Sequence, residues 1–406
     1  MGISDNAHPS GSHEANDPIT LQEMQVIARD KLPKHIYDFF ASGSDNERAL
    51  LRNEQAFDRL YIRPRVMVDV SDIDTSTKIL GHRTSLPIGI APSAMQRLAG
   101  GDGELDVAKA AVKMGLNLTL SSQSTTSLED VAQTRQVEGI DESALPPFWM
   151  QLYLPEDPER SIDLIRRAEA ARYQALVLTV DTPVLGNRLN ERKTAVVLPK
   201  GMGLPNIRKG PPNEEGQASI NRRLMDSRSA AEARNLRRIA GTTMHSSGLT
   251  WEKTIKFLRS VTKMKIILKG IMTAEDASLA VKYGVDGIIV SNHGGRQLNS
   301  ASSTIEALPE IAAAVKNSIP IILDGGVRTG ESVFKALALG ADLILVGRPA
   351  LWALAYKGQE GVEDMMNILE RELNRTMALA GVTKISEITR DRLTVVSTDG
   401  FGLSKL

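Results

Sequence analysis

From residue 86 onward, short apolar runs alternate with segments of helical pattern, and the alternation repeats eight times. The runs are rich in Ile, Leu and Val, which is typical of strands buried on both faces of a parallel sheet. The candidate strands are residues 87–91, 117–120, 148–153, 175–179, 266–269, 287–290, 321–323 and 343–346. Eight parallel strands, each followed by a helix, close into a (β/α)8 TIM barrel, so this α/β fold is the prediction.

Two short helices are predicted ahead of the barrel, at residues 21–28 and 33–40. We expect them to pack against the barrel, because neither is long enough to form a core of its own. The polar residues 1–17 lack an apolar segment and are predicted to be a disordered tail. The sequence therefore predicts a single domain over residues 18–406.

One long segment interrupts the repeat, from about residue 189 to residue 250, between the fourth strand and its helix. Insertions of this length in a compact domain are usually functional, so we expect an active-site lid. Its basic stretch, residues 222–238, is predicted to be a solvated helix face.

The composition limits the partners and the redox chemistry. Lys and Arg number 49 and so do Asp and Glu, which argues against nucleic acid or an anionic membrane as a partner and favours a small molecule. The chain has no cysteine, which excludes disulfides, thiolate zinc sites and cysteine-ligated iron–sulfur clusters. Redox chemistry would therefore need a non-covalently bound organic cofactor. No segment has eighteen uninterrupted apolar residues, and Ser404-Lys405-Leu406 matches a peroxisomal address, so we expect a soluble peroxisomal protein.

Residues 291–298 directly follow the sixth predicted strand and contain a histidine and an arginine three residues apart. Ligands bind at the carboxyl ends of the strands in a parallel barrel. His293 is thus a candidate base, and Arg296 is a candidate anion-binding residue. On this segment alone, a histidine satisfied within a turn and an arginine in a surface ion pair remain the alternative.

The fourth and fifth predicted strands add charged side chains at the same edge. Asp181 could orient and stabilise a protonated His293, and Arg188 could join Arg296 in binding a carboxylate. Lys269 could stabilise negative charge on a cofactor ring during reduction, or form a structural ion pair.

Glycine-rich loops follow the seventh and eighth strands, at residues 324–328 and 347–349. Such loops in a barrel expose backbone N–H groups that can hold a phosphate, and Arg328 and Arg348 can add charge. The pattern predicts a phosphate-bearing cofactor. Neutral hydrogen-bonding groups at the strand ends are Gln151, Tyr153, Ser121 and Ser122.

The other histidines give no sign of a metal site. They are His8, His13, His35, His82 and His245, and all lie outside the predicted strand ends. No pair has the spacing of zinc ligands, so no metal is predicted.

Taken in this order, the motifs resemble the FMN-dependent (S)-2-hydroxy-acid oxidase and dehydrogenase family, which includes glycolate oxidase, lactate oxidase and flavocytochrome lactate dehydrogenase. The resemblance runs from about residue 21 to the carboxyl terminus. The motifs that carry it are residues 91–96, 178–183, 268–270, 291–298, 323–328 and 347–348. It implies FMN as the cofactor and a homo-oligomer, either a tetramer or an octamer.

The resemblance also assigns roles to residues. It implies His293 as the catalytic base, Asp181 as its partner and Lys269 as the group facing the polar edge of the flavin ring. The substrate-binding residues that it implies are Arg188, Arg296 and Tyr153. The cofactor-binding residues, besides Lys269, are Pro92, Ser93, Ala94, Ser121, Gln151, Thr179, Ser291, Asp324, Gly325, Gly326, Arg328, Gly347 and Arg348.

Two substrate-binding positions depart from the family pattern. Phe39 stands where members similar to glycolate oxidase carry a tyrosine, which removes one hydroxyl donor to the substrate carboxylate. Losing a hydrogen bond to a charged group costs about 1.5 to 3 kcal/mol. Gln123 stands where glycolate oxidase has a tryptophan that narrows the pocket, so we expect a substrate that is larger or more polar than glycolate.

The family resemblance predicts oxidation of an (S)-2-hydroxy acid to the 2-oxo acid, with the electrons passed to O2 to give H2O2. Dehydrogenase activity with another acceptor and oxidative decarboxylation of the lactate monooxygenase kind are alternatives. Hydride transfer and carbanion formation both fit these residues. An FMN barrel of the isomerase kind would not need the set of His293, Arg296 and Arg188, and a non-catalytic FMN-binding barrel has only Phe39 in its favour.

Overall fold

Eight parallel strands form a barrel in the computed structural model. The structure describes residues 17–139, 145–207, 220–240, 245–396 and 403–405. The strands in chain order are β1 (Tyr61–Ile62), β2 (Thr77–Ile79), β3 (His82–Thr84), β4 (Ile88–Ile90), β5 (Thr119–Leu120), β6 (Trp149–Leu152), β7 (Ala175–Thr179), β8 (Lys265–Ile271), β9 (Gly287–Val290), β10 (Ile321–Asp324), β11 (Leu343–Val346), β12 (Leu393–Val396) and β13 (Leu403–Lys405).

Helices cover the outside of the barrel, and three further helices precede the barrel in the chain. They are α1 (Leu21–Lys31), α2 (Lys34–Ala41), α3 (Arg48–Gln55), α4 (Glu104–Met114), α5 (Leu128–Gln133), α6 (Ile162–Ala170), α7 (Leu189–Lys193), α8 (Ile220–Met225), α9 (Ala230–Ala240), α10 (Trp251–Val261), α11 (Ala274–Lys282), α12 (Thr304–Val315), α13 (Gly330–Ala338) and α14 (Arg348–Ala380). None of the helices in the described ranges is both long and apolar enough to cross a membrane.

The barrel sheet has the strand order β4-β11-β10-β9-β8-β7-β6-β5. Its neighbours pair in parallel, and a parallel bridge between Ile90 and Leu118 joins the first and last strands of that order. The predicted (β/α)8 barrel is thereby confirmed.

Five of the eight predicted strands differ from the observed ones by one or two residues at an end. β8 runs on to Ile271 through a register shift, which Gly270 permits because its φ of +116° is open to glycine. The helical segment after β6 begins as a 3₁₀ turn, Pro158–Ser161, and continues as α6. Pro158 fits the first turn of a helix, and the Asp157 side chain accepts a hydrogen bond from the Glu159 N–H there.

Strand register decides which side chains reach the barrel mouth, because alternate residues of a strand face the same side. The inner core of the barrel contains Trp149, Val177, Ile267, Ile289, Ile322 and Leu345. Two residues further along the same strands or just beyond their ends come Gln151, Thr179, Lys269, Ser291, Asp324 and Gly347. The same period that fills the core therefore places these residues at the carboxyl end of the barrel.

The amino-terminal helices close part of the mouth. Asn53 on α3 and Asn292 exchange two side-chain hydrogen bonds, at 2.8 and 2.7 Å, so the extension is fixed to the loop after β9. Both amides are buried. Asp17 is ion-paired with Lys357 at 2.9 Å, and the rest of the predicted disordered tail lies outside the described residues.

The insertion between β7 and α10 contributes α7, α8 and α9, while residues 208–219 and 241–244 lie outside the described part. The expectation that the whole basic stretch is solvated is wrong for Arg237, which is 3% exposed. Its guanidinium donates to the carbonyls of His245, at 2.7 Å, and Pro183, at 2.9 Å. Arg222 and Arg234 are exposed as predicted.

Glu104, the first residue of α4, connects the loops after β4 and β5. Its carboxylate is 1% exposed and accepts hydrogen bonds from the backbone N–H groups of Gln96 and Thr125 at 3.0 and 2.8 Å. The hydroxyls of Thr125 and Thr126 donate to it at 2.7 and 3.0 Å. A buried carboxylate with four donors holds both loops in place.

Replacing Glu104 with alanine should lower the free energy of unfolding by about 3 kcal/mol, because several buried donors lose their acceptor. Urea titration followed by circular dichroism measures the change. Glu360→Ala on the exposed face of α14 is the matched control and should change stability by less than about 0.5 kcal/mol. A loss below about 1 kcal/mol for E104A would show that water replaces the carboxylate.

Candidate active site

His293 and Asp181 form the centre of the site. The Asp181 carboxylate Oδ1 lies 2.9 Å from Nδ1 of His293, although the two residues are on loops after different strands. Thr182 also donates to that oxygen, at 2.8 Å. Because the carboxylate holds Nδ1, this hydrogen bond orients the imidazole ring and leaves Nε2 available for proton transfer. The structure thus places these two predicted residues in hydrogen-bond contact.

The pKa values of this pair fit a base and its partner. Burial lowers the pKa of His293, and Asp181 offsets part of that effect. Burial alone would raise the pKa of Asp181, but the imidazole of His293 and the ammonium of Lys269 outweigh it and lower that pKa to about 2. Asp181 is therefore ionised and His293 neutral near pH 7, so the imidazole can accept a proton.

Arg188 and Arg296 lie side by side and share a carboxylate. Oε1 of Glu191 accepts from Nη1 of Arg188 at 3.1 Å and from Nη2 of Arg296 at 2.9 Å. The Glu191 side chain is 5% exposed. Two guanidiniums and one carboxylate leave one positive charge, which suits a ligand with a single carboxylate.

Arg296 is held by the amino-terminal extension. Its Nη1 donates to the carbonyls of Phe39 and Ser42, both at 2.8 Å, and its guanidinium carbon lies 5.4 Å from the centre of the Phe39 ring. Burial, with the neighbouring Arg188, lowers the pKa of Arg296 to about 9. Phe39 thus lacks the tyrosine hydroxyl but supports Arg296 through its backbone and its ring.

Lys269 is buried at the centre of the mouth. Its Nζ donates to the Ser291 hydroxyl at 2.8 Å and lies 3.3 Å from Oδ2 of Asp324. Burial lowers its pKa, but Asp324 and Asp181 outweigh that effect, and the net pKa is raised. The lysine is therefore an ammonium. Sequence reasoning found no acidic neighbour for it, because Asp324 approaches only through the barrel register.

Neutral side chains join Lys269 and Asp324 at the carboxyl end of the barrel, and these polar side chains together are called here the floor. Nε2 of Gln151 donates to the Thr179 hydroxyl at 3.0 Å, and its Oε1 accepts from the Ser122 N–H at 3.1 Å. The Ser121 hydroxyl accepts from the Gln123 N–H at 3.1 Å. These bonds fix the orientation of the Gln151 amide between two strands.

Two arginines lie beside the glycine loops. Arg348 donates to the carbonyls of Phe40, Gly294 and Ser42 at 2.9 to 3.0 Å, which leaves two of its five N–H groups. Burial, followed by the charge of Arg328, lowers the pKa of Arg348 to about 10. Arg328 pairs with Glu54 at 2.8 Å. An anion between the two arginines would relieve their repulsion.

The predicted site residues share one pocket. All of them line it except Asp181 and Ser291, which lie directly behind His293 and Lys269. The structure thus places Phe39, Gln123 and Tyr153 in the same pocket as the charged groups.

Three further lining residues with polar side chains were missed by the sequence reasoning, namely Glu191, Asn221 and His245. Glu191 follows Arg188 by three residues on a predicted insertion, and that spacing was the available signal. His245 was considered from the sequence only as a possible metal ligand, because it lies outside the strand ends. No local pattern distinguishes Asn221 or His245, since the insertion has no strand register.

Comparison with known proteins agrees with this geometry. The chain matches the model of the FMN-dependent dehydrogenase family over residues 28–395. The chain belongs to that family. It is 44% identical to glycolate oxidase 3 of Arabidopsis thaliana over 379 residues, which covers 92% of this chain and 95% of that protein. It is 45% identical to 2-hydroxyacid oxidase of Dictyostelium discoideum over 370 residues, which covers 91% and 88% of the two chains.

Solved structures of mandelate oxidase are similar as well. The structure with (S)-4-hydroxymandelic acid has a TM-score of 0.79 and 37% sequence identity, and the match covers 93% of this chain and 99% of that chain. The family membership and the fold predicted from the motifs are confirmed.

FMN is the cofactor of this family, and the residues of the pocket fit FMN. Oδ1 of Asp324 and Nε of Arg328 are buried and have no hydrogen-bond partner among the described residues. Buried polar atoms without partners are rare in folded proteins. One acceptor on the floor and one donor at the glycine loops would meet a ribityl hydroxyl and a phosphate.

The shared carboxylate of Glu191 generates a prediction about anion binding. Replacing it with glutamine keeps an acceptor for both arginines but removes the competing negative charge. The FMN-loaded E191Q protein should therefore bind oxalate about fivefold more tightly than the wild type, measured by isothermal titration calorimetry. Glu252→Gln on the exposed side of α10 should leave the affinity unchanged. Weaker binding by E191Q would mean that the charge of Glu191 holds the arginines in place.

Proposed function

We propose that the protein is an FMN-dependent oxidase of (S)-2-hydroxy acids that produces the 2-oxo acid and passes the electrons to O2, giving H2O2. The observation that carries the proposal is the Asp181–His293 pair, with its 2.9 Å contact, in one pocket with the Arg188 and Arg296 guanidiniums. A base and a carboxylate site side by side match the two functional groups of a 2-hydroxy acid. The names glycolate oxidase, 2-hydroxyacid oxidase and mandelate oxidase among the similar proteins support the oxidase reaction.

The proton is handled by His293 and Asp181. His293 accepts a proton from the substrate, and the ionised Asp181 stabilises the imidazolium that forms. Tyr153 remains protonated, because burial and the charge of Asp181 raise its pKa to about 12. Its hydroxyl therefore acts as a hydrogen-bond donor to the substrate. FMN, when bound, supplies the acceptor for the two electrons.

The substrate carboxylate is bound by Arg188 and Arg296. Both guanidiniums are held by acceptors behind them, which leaves the pocket side for a ligand. Binding through a pair of charge-assisted hydrogen bonds fixes the carboxylate end and aligns C2 with the base. Phe39 supports Arg296 and does not itself donate to the substrate.

The FMN site uses the floor and the two glycine loops. The ammonium of Lys269 would face developing negative charge on the ring, with Gln151 and Thr179 at the polar edge. Residues proposed for the ribityl chain, the phosphate and the ring face are Pro92, Ser93, Ala94, Ser121, Ser291, Asp324, Gly325, Gly326, Arg328, Gly347 and Arg348.

A substrate panel tests the proposal. Purified protein loaded with FMN is mixed anaerobically with glycolate, lactate, 2-hydroxybutanoate, glycerate and mandelate, and the flavin absorbance is followed. We expect bleaching with at least one (S)-acid and none with its (R)-enantiomer. In air, O2 uptake and H2O2 release should be equal. A flavin that stays oxidised with every acid would refute the proposal, and O2 uptake without H2O2 would refute the oxidase assignment.

Replacing His293 with glutamine should slow flavin reduction on the order of 1000-fold, because the base is lost while a polar side chain of similar reach remains. FMN binding should be unchanged, since the proposed cofactor contacts lie elsewhere. Stopped-flow absorbance measures the reduction, and the flavin spectrum reports occupancy. Loss of FMN from H293Q would instead indicate a structural role. His35→Gln, on the exposed side of α2, is the control.

Asp181→Asn should change the pH profile as well as the rate. His293 must be neutral to act as a base, so kcat/KM falls as the pH drops through its pKa. Asp181 raises that pKa, so its loss should move the acidic limb of the profile to lower pH. The maximal rate should fall on the order of 100-fold, because the imidazolium loses its stabilising charge. An acidic limb that moves to higher pH would contradict the pairing.

Peroxisomal location and a homo-oligomeric state belong to the same proposal. Ser404-Lys405-Leu406 supports the location, and import of a fluorescent fusion with and without these residues tests it. Val66 and Met67 are 82% and 101% exposed and lie next to each other, which supports burial against another copy. Light scattering measures the mass, and we expect a tetramer or an octamer.

A further inference from the structure

Three residues that line the pocket are polar and uncharged and lie outside the proposed cofactor site. They are Gln123 from the loop after β5, Asn221 at the start of α8 and His245 after α9. These three residues, called here the neutral wall, come from separate parts of the chain. The cofactor, the carboxylate and the proton transfer of the proposed function do not use Asn221 or His245.

His245 is held in place from two sides. His245 is 6% exposed. The centre of its ring lies 4.2 Å from the centre of the Tyr153 ring, in an edge contact with an interplanar angle of 63°. Its carbonyl accepts from Nη1 of Arg237, whose Nη2 donates to the Pro183 carbonyl on the barrel. Its φ is +49°, a left-handed conformation that a non-glycine residue adopts only when its surroundings enforce it. The imidazole is thus fixed in the wall.

The neutral wall carries hydrogen-bonding capacity that the described residues leave unused. Nδ1 of His245 is buried and has no hydrogen-bond partner in the described part of the chain. Burial and the charges of Arg237 and Arg188 lower the pKa of His245 to about 3, so the ring is neutral and has one donor and one acceptor. Gln123 and Asn221 add two amides, each with a donor and an acceptor.

The substituents of the substrate carbon can be assigned by elimination. In the proposed function the carboxylate meets Arg188 and Arg296, and the hydroxyl and the hydrogen on the same carbon are assigned to His293, Tyr153 and the cofactor. The fourth substituent, the side chain of the acid, is left with the remaining lining residues, which include the neutral wall, Leu185 and Met95. A wall of neutral donors and acceptors binds an uncharged polar group better than an alkyl, aryl or charged group, because its polar atoms would otherwise stay unpaired.

We propose that the neutral wall of Gln123, Asn221 and His245 recognises an uncharged polar side chain, a hydroxyl or a carboxamide, on the 2-hydroxy acid. The inference rests on the proposed function and narrows its substrate class. His245 is the specificity-determining residue of the three, because it is fixed between Tyr153 and Arg237.

The test compares two acids of the same shape, (S)-glycerate and (S)-2-hydroxybutanoate, which differ by a hydroxyl in place of a methyl group. The FMN-loaded wild type should favour glycerate at least tenfold in kcat/KM. His245→Phe keeps an aromatic ring against Tyr153 but cannot form the hydrogen bond, so it should reduce this preference about tenfold, mainly through the KM of glycerate. The rate with 2-hydroxybutanoate should change less than about twofold. His35→Phe is the matched control and should keep the wild-type preference.

Asn221→Leu provides a second variant that does not disturb the Tyr153 contact, in case H245F fails to fold. It should also reduce the preference for glycerate. A wild type that prefers 2-hydroxybutanoate, or a preference unchanged in both variants, would overturn the inference and leave the oxidase proposal intact. Absence of flavin reduction with these two acids and with glycolate, lactate and mandelate would overturn both.

Discussion

Positive charge buried in the barrel mouth is the constraint on which the rest of the site depends. Arg188, Arg296, Arg328, Arg348 and Lys269 all line one pocket. Burial and mutual proximity lower the pKa of Arg296 to about 9 and that of Arg348 to about 10, so each guanidinium is less stable there than in water. An anion placed between these groups reverses the effect. The fold thus holds two regions that favour anions, one suited to a carboxylate and one to a phosphate.

Backbone carbonyls at the end of a helix outside the barrel offset the cost of burying these guanidiniums. The carbonyls of Phe39, Phe40 and Ser42, at the carboxyl end of α2, accept hydrogen bonds from Arg296 and Arg348. The last carbonyls of a helix have no partner within it and carry the negative end of its dipole, so they stabilise cations. The amino-terminal extension therefore belongs to the active site, although the barrel supplies the proposed base. This also explains how Phe39 can support anion binding without a hydroxyl.

The parts of the site that were predictable follow from strand register. Period-two alternation in a buried strand determines that Lys269 faces the mouth once Ile267 faces the core, and the same reasoning places Asp324 after Ile322. Sequence reasoning could not find Glu191 as the shared partner of two arginines or His245 as a wall residue. Both lie on the insertion, where no period relates a residue to the barrel axis. Backbone acceptors are likewise invisible, since a carbonyl is present whatever the side chain.

The residues proposed for the reaction and two of those proposed for substrate specificity therefore lie in different parts of the fold. Lys269 lies within β8, so moving it would require a change of register that would also expose the core, and His293 directly follows β9. His245 and Asn221 lie on the insertion and are held there by local contacts such as the Arg237 guanidinium on the His245 carbonyl. Substitution of His245 or Asn221 is therefore expected to alter the proposed contact with the substrate side chain and to leave the base and its partner unchanged. Specificity in this fold can change at small cost to stability, whereas the chemistry cannot.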